Sequence, residues 1–151
     1  MTIARLLASK GVKVVTIGPE HSIRQALMLL AEHNIGALVV VDRGGAPVGI
    51  VSERDIVRAL ARTEAILAQA VASIMTREVI IATSQDDLVA VVYTMTEHRI
   101  RHLPVVDSGR LVGIVSIGDV VKAQRDQYQG EVDTLQHQIL HDELPNVSKA
   151  S

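Results

Sequence analysis

A serine and an aspartate stand three residues apart twice in this 151-residue chain: Ser52 with Asp55 in PVGIVSERD (47–55), and Ser116 with Asp119 in LVGIVSIGD (111–119). In each phrase a β-branched run suited to a strand ends at the serine and passes directly into a helical pattern. A helix N-terminus offers unpaired N–H groups and a partial positive charge, which suit a phosphate. A hydroxyl there can donate to a phosphate or ribose oxygen, and a carboxylate one turn inside can accept from the vicinal hydroxyls of a ribose. The same two residue types also make an ordinary capping box, and for a single copy the two readings stay open. Gly49 and Gly113 leave room for another backbone or a ligand to come close.

The densest basic cluster is RIRH at 99–102. Arg99 suits a helix C-terminus, where positive charge is favoured. Arg101 and His102 fall at the entry of a strand, where they are either surface decoration or partners of a phosphate. Their counterparts earlier in the chain are Gly36 and Ala37. Arg54, opposite Gly118 in the other copy, is either a phosphate partner or a solvated first-turn residue. Thr16 and Thr83, at the ends of short leading strands, could bond a base edge, or be plain strand termini. His137 and His141 lie one helical turn apart in HQILH, but Gln138 stands where a zinc peptidase has its Glu. His33 and His98 suit helix ends. No nucleophile–base pair stands out, so no enzymatic activity is expected.

These residues sit on a duplicated frame. EHNIGALVVVD (32–42) and EHRIRHLPVVD (97–107) share seven of eleven positions at an offset of 65. VGIVSERDIV (48–57) and VGIVSIGDVV (112–121) share seven of ten at an offset of 64. Upstream, Ile23, Ala26, Leu27 and Leu30 draw one helical face, and Leu88, Val91, Val92 and Met95 draw it again. Short β-branched runs precede both helices, at Val14–Ile17 and Val79–Ala82. SQDD (84–87) has the form of a capping box. Each unit therefore reads β-α-β-β-α, the fold class is α/β (α+β), and the two units should pack face to face because one alone buries too little surface. The boundaries expected are 12–62 for the first repeat, 63–75 for a helical connector, 76–124 for the second repeat, 125–143 for a C-terminal helix and 144–151 for a flexible tail. On that last helix Tyr128, Val132, Leu135 and Ile139 form a narrow stripe that predicts a homodimer, with folding back onto its own repeats as the competing use.

Composition narrows the partners. Net charge is −2 and only two residues, both Tyr, are aromatic, which argues against duplex-binding faces and base-stacking platforms. There is no cysteine, which removes disulfides, thiolate zinc sites and iron–sulfur clusters. No apolar run reaches membrane-spanning length, and the first residues do not read as a secretory signal, so a cytoplasmic protein is expected.

The doubled G-[IV]-V-S-x-x-D, the RHLPVVD segment and IMT at 74–76 resemble a tandem pair of CBS domains of the stand-alone bacterial type, over roughly residues 12–124. The resemblance implies a pseudo-twofold disc whose cleft binds an adenosine ligand: AMP, ADP, ATP, NAD or, less favoured, S-adenosylmethionine. It implies a ligand-binding set of Thr16, Gly36, Ala37, Ser52, Arg54, Asp55, Thr83, Arg101, His102, Pro104, Ser116 and Asp119. It also implies that Arg101 and His102 face the phosphates at the site of Asp119, their own repeat, leaving the Asp55 site with Gly36 and Ala37. Related domains commonly place His before Arg here, whereas this chain has Arg before His. The function expected is regulatory nucleotide sensing coupled to an unidentified protein partner. A constitutive assembly module, with Ser and Asp merely capping helices, is the rival.

Overall fold

The computed structural model describes residues 1–11 and 14–150, and the side chains only as far as His141. It falls into two units, Met1–Ser116 and Ile117–Ser151. In the first unit the chain opens with α1 (Ile3–Lys10) and continues as β1 (Thr16–Ile17), α2 (Ile23–His33), β2 (Ala37–Val41), β3 (Pro47–Ser52) and α3 (Glu53–Leu60). After the connector come α4 (Leu88–His98), β4 (His102–Asp107) and β5 (Arg110–Ser116). The second unit is α5, one helix over Ile117–Ala150 without a break at 124. The tail expected over 144–151 concerns side chains, and a last residue, outside the described set.

The first sheet has the order β1-β2-β3, with β1 parallel and β3 antiparallel to β2. Its register pairs Ile17 with Val40. The second repeat keeps that register, Ala82 with Val105, but only as a single bridge beside the β4–β5 pair. The Ala82 N–H donates to Pro104 O at 2.9 Å, and the Val106 N–H donates to Ala82 O at 2.8 Å. The next rung would need an N–H from residue 104. Pro104 has none, whereas Val39 holds the matching place in β2. The strand expected over Val79–Ala82 is therefore cut to one residue.

The helices follow their apolar stripes. Ile23, Ala26 and Leu30 of α2 and Leu88, Val91 and Met95 of α4 are buried, while Leu27 stays 37% exposed. Ser22 and Gln25 form a capping box on α2. On α4 the cap is Asp87, whose carboxylate accepts the Val89 N–H at 3.2 Å. The capping box expected from Ser84 does not form, because the helix starts at Leu88. Ser84 instead donates its N–H to Asp107 at 2.9 Å. Both helices end on a left-handed residue, Asn34 (φ 51°) and Arg99 (φ 54°).

The connector is not a continuation of α3. It makes two short 3-10 turns, Glu64–Ala68 and Val71–Ser73, with extended residues between them. That break lays residues 69–76 along the first repeat. The Ile23 N–H donates to Gln69 O (2.9 Å), the Val71 N–H to His21 O (2.7 Å) and the Ala72 N–H to Pro19 O (3.0 Å). The opening residues do the same for the second repeat. The Leu88 N–H donates to Met1 O (2.8 Å), the Ile3 N–H to Asp86 O (2.9 Å) and the Ala4 N–H to Ser84 O (2.8 Å). Ile3 and Val71, each with 0% exposure, are the matching anchors. Each repeat is thus completed by the arm that precedes the other repeat in sequence. The close approach expected at the two glycines serves these arms: a Cβ on Gly49 would lie 2.6 Å from Met75 Sδ, and one on Gly113 would lie 2.7 Å from a Leu7 methyl.

Candidate functional site

Ser52 ends β3 and begins α3, and its cap is reciprocal. The Asp55 N–H donates to Ser52 Oγ at 3.2 Å, and the Ser52 N–H donates to Asp55 Oδ2 at 2.8 Å. The cap holds both side chains still. It leaves the Ser52 hydroxyl proton and Asp55 Oδ1 without a partner among the described residues. Capping and ligand binding are therefore compatible uses of one pair.

Ser52 and Asp55 line a cavity of about 600 Å³. Gly36, Ala37 and Arg54 join them from the first repeat, and Arg101, His102 and Pro104 from the second. Gly36 carries His102 against it: a Cβ added there would stand 3.1 Å from the imidazole. The Gly36 carbonyl also accepts the Glu53 N–H at 3.0 Å, which ties this loop to the start of α3. The assignment of Arg101 and His102 to Asp119 alone needs correction, because both line the cavity of Asp55. The lack of basic residues at Gly36 and Ala37 is made good there from the opposite repeat.

Four other expected residues do not line this cavity. Thr16 lines a separate groove of about 760 Å³, with Glu20, His21 and Asp42. The Thr83 hydroxyl donates to Asp86 Oδ1 at 3.0 Å, so it is engaged locally. Ser116 closes β5, and Asp119 lies in the first turn of α5. Several residues of the cavity were not among the expected site residues: Arg58, Thr76, Glu78, Val79 and Ile80. Arg58 lies one turn after Arg54 on the same helix, a spacing that puts both on one face. Arg99, read as a helix end, lines the cavity as well. Thr76 arrives through the arm, exchanging backbone hydrogen bonds with Ile50 at 2.9 and 3.0 Å.

Away from the cavity, two carboxylates are held below their usual range. Hydrogen bonds from Ser84 lower Asp107, and the Val89 N–H followed by the N-terminal ammonium lowers Asp87. Among the described residues no cluster of metal-ligating side chains occurs, and no helix is long and apolar enough to cross a membrane.

Two repeats that exchange arms and share a cavity form a paired module, and that is the class this fold defines. The sequence profile of the CBS domain matches it twice, at residues 7–62 and 71–126, and the chain belongs to the CBS-domain family. It is similar to the CBS-domain-containing protein ATU1752 from Agrobacterium tumefaciens, with 45% identity, a TM-score of 0.79, and 82% of this chain and 99% of that one covered. The CBS pair of protein MJ0100, solved in complex with 5′-methylthioadenosine and S-adenosyl-L-methionine, is 32% identical with a TM-score of 0.76, covering 84% and 98%. CBSX2 in complex with AMP is 26% identical with a TM-score of 0.69, covering 84% and 98%. Among curated proteins, YhcV of Bacillus subtilis is 32% identical over 131 residues, 85% of this chain and 93% of that protein.

Proposed function

We propose that this chain is a regulatory module, working in the cytoplasm, that binds an adenosine ligand in the Asp55 cavity and catalyses nothing itself. AMP, ADP, ATP and NAD are the ligands favoured, ahead of S-adenosylmethionine. The observation that carries the reading is the capped pair: Asp55 keeps one carboxylate oxygen for a ribose after serving its helix, in a cavity that also holds Arg101 and His102. The adenosine compounds bound by MJ0100 and CBSX2 support it. Ser116 and Asp119 carry the same functional groups and are proposed for the same role. Thr83 remains a candidate for base contact only through a change of partner, and Thr16 only from the separate groove that it lines. A ligand held by both repeats shifts their arrangement only through unequal affinity for two states.

Thermal melts with each ligand test this, since binding to the folded state alone raises the melting temperature. Asp55→Asn should lower affinity by about ten- to hundredfold in titration calorimetry, the worth of a charged hydrogen bond, while costing the cap about a kcal/mol or less. No shift with any adenosine compound would leave the constitutive assembly module in its place.

Self-association through α5 belongs to the same proposal. Tyr128, Val132, Leu135 and Ile139 are 45–67% exposed along one seam. Val132 and Ile139 at one core position and Leu135 at the other suit pairing with the same helix of a second copy. Light scattering on Leu135→Asp with Ile139→Asp should report a monomer of unchanged circular dichroism. A dimer that survives both changes puts the interface elsewhere.

A further inference from the structure

We infer that the Asp55 cavity is built for an adenine nucleotide with two or more phosphates, and that Arg58 and Arg99 read the phosphates beyond the first. The inference rests on the nucleotide reading above and narrows it. Arg54 and Arg58 stand one turn apart on α3, and Arg99 and Arg101 flank Ile100 on the way into β4. Arginines therefore line the cavity from two different walls. A single phosphate can be held by one two-pronged arginine together with a helix N-terminus. Four arginines exceed that need.

Their pairing argues in the same direction. None of the four guanidinium groups is in an ion pair or donates a hydrogen bond within the described residues. Glu53 and Glu78 line the same cavity, yet neither lies within ion-pair distance of them. Asp55 is committed to its cap on one oxygen. Four arginines against the three carboxylates Glu53, Asp55 and Glu78 leave the lining with one positive charge in excess, in a chain whose net charge is −2. A polyphosphate supplies negative charge to guanidinium groups that hold no ion pair of their own, whereas adenosine supplies none. Val79 and Ile80 give the same cavity an apolar stretch where a flat base can lie.

Titration calorimetry at fixed ionic strength and without divalent cation, using adenosine, AMP, ADP and ATP, tests the inference. The variants are Arg58→Ala, Arg99→Asn and their combination; Asn keeps a residue at ease with the left-handed backbone at that helix end. Circular dichroism and melts confirm that each variant folds. The wild-type chain should bind ATP at least about tenfold tighter than AMP. The double variant should hold AMP within about threefold of wild type and lose that gain. Equal wild-type affinity for AMP and ATP, or a gain that survives in the double variant, overturns the inference and leaves the nucleotide site standing. Failure of adenosine and all three nucleotides to bind removes the nucleotide reading itself.

Discussion

Asp42 and Asp107 occupy the same place in the two repeats and hold different things. Asp42 stays within its own turn, accepting the Gly44 and Ala46 N–H groups, both at 2.9 Å. Asp107, on a turn one residue shorter, reaches across to the Ser84 N–H. The first repeat has Pro19 where the second has Ser84, and proline has no N–H to give. A similar exchange occurs at the arms. Ile50 O accepts the Thr76 N–H, while Ile114 O accepts Lys10 Nζ at 2.7 Å, because α1 is still helical where the other arm has become extended. The apolar frame is common to both repeats, and the polar groups are satisfied separately in each. Divergence is greatest at Gly36–Ala37 against Arg101–His102, where the two meet at the cavity.

The largest test of that comparison concerns the arms. If α1 completes the second repeat as residues 69–76 complete the first, Ile3→Ala should cost about 2–5 kcal/mol in urea denaturation. Val71→Ala, a smaller truncation, should show a smaller loss of the same kind. A neutral Ile3→Ala would show that the arms are not equivalent. Next, Arg101→Ala with His102→Ala makes the second repeat as poor in charge as the first. Nucleotide affinity should then fall about ten- to hundredfold, with adenosine much less affected. Equal losses for both would remove phosphate from the role of this pair.

A finer contrast lies at the glycines. A Cβ at Gly49 would meet Met75 and, at 3.1 Å, the Thr76 carbonyl, which the backbone pairing holds in place; at Gly113 it would meet only the Leu7 side chain. Gly49→Ala should cost about 1–3 kcal/mol and Gly113→Ala less, by thermal melts. Equal costs would mean that the Thr76 backbone yields as readily as a leucine. The smallest effect is that of pH on Asp107. Its folded value lies below the ordinary 3.8, so the Ser84 contact contributes fully above 3.8 and is lost as pH falls through the lower folded value. Asp107→Asn should flatten the melting temperature over that acid range; an unchanged acid slope would remove the Ser84 contact from that role.

The repeat, the stripe positions of α2 and α4 and the Ser52–Asp55 cap were legible because each depends on residues close in sequence. The arms were not. Aligned as the structure pairs them, MTIARLL and QAVASIM share only Ala4 with Ala72, and nothing local says which repeat either will complete. The partners of Asp55 were misread for a similar reason. Arg101 and His102 were assigned within their own repeat, although they also come to Asp55 across the interface between repeats. Arg58 could have been found from its spacing to Arg54. Pro104 was named as a site residue, and its missing N–H already foretold a curtailed first strand in the second repeat.

The crossed arms also decide how this chain can be divided. A cut in the connector does not release two independent domains. The half ending at residue 68 carries the anchor Ile3 for a repeat it has lost, and the half beginning at Gln69 carries Val71 for the other. Such halves are complementary fragments, expected to recombine when mixed and to expose raw apolar edges when kept apart. The smallest piece that can be transplanted intact into another protein is the pair.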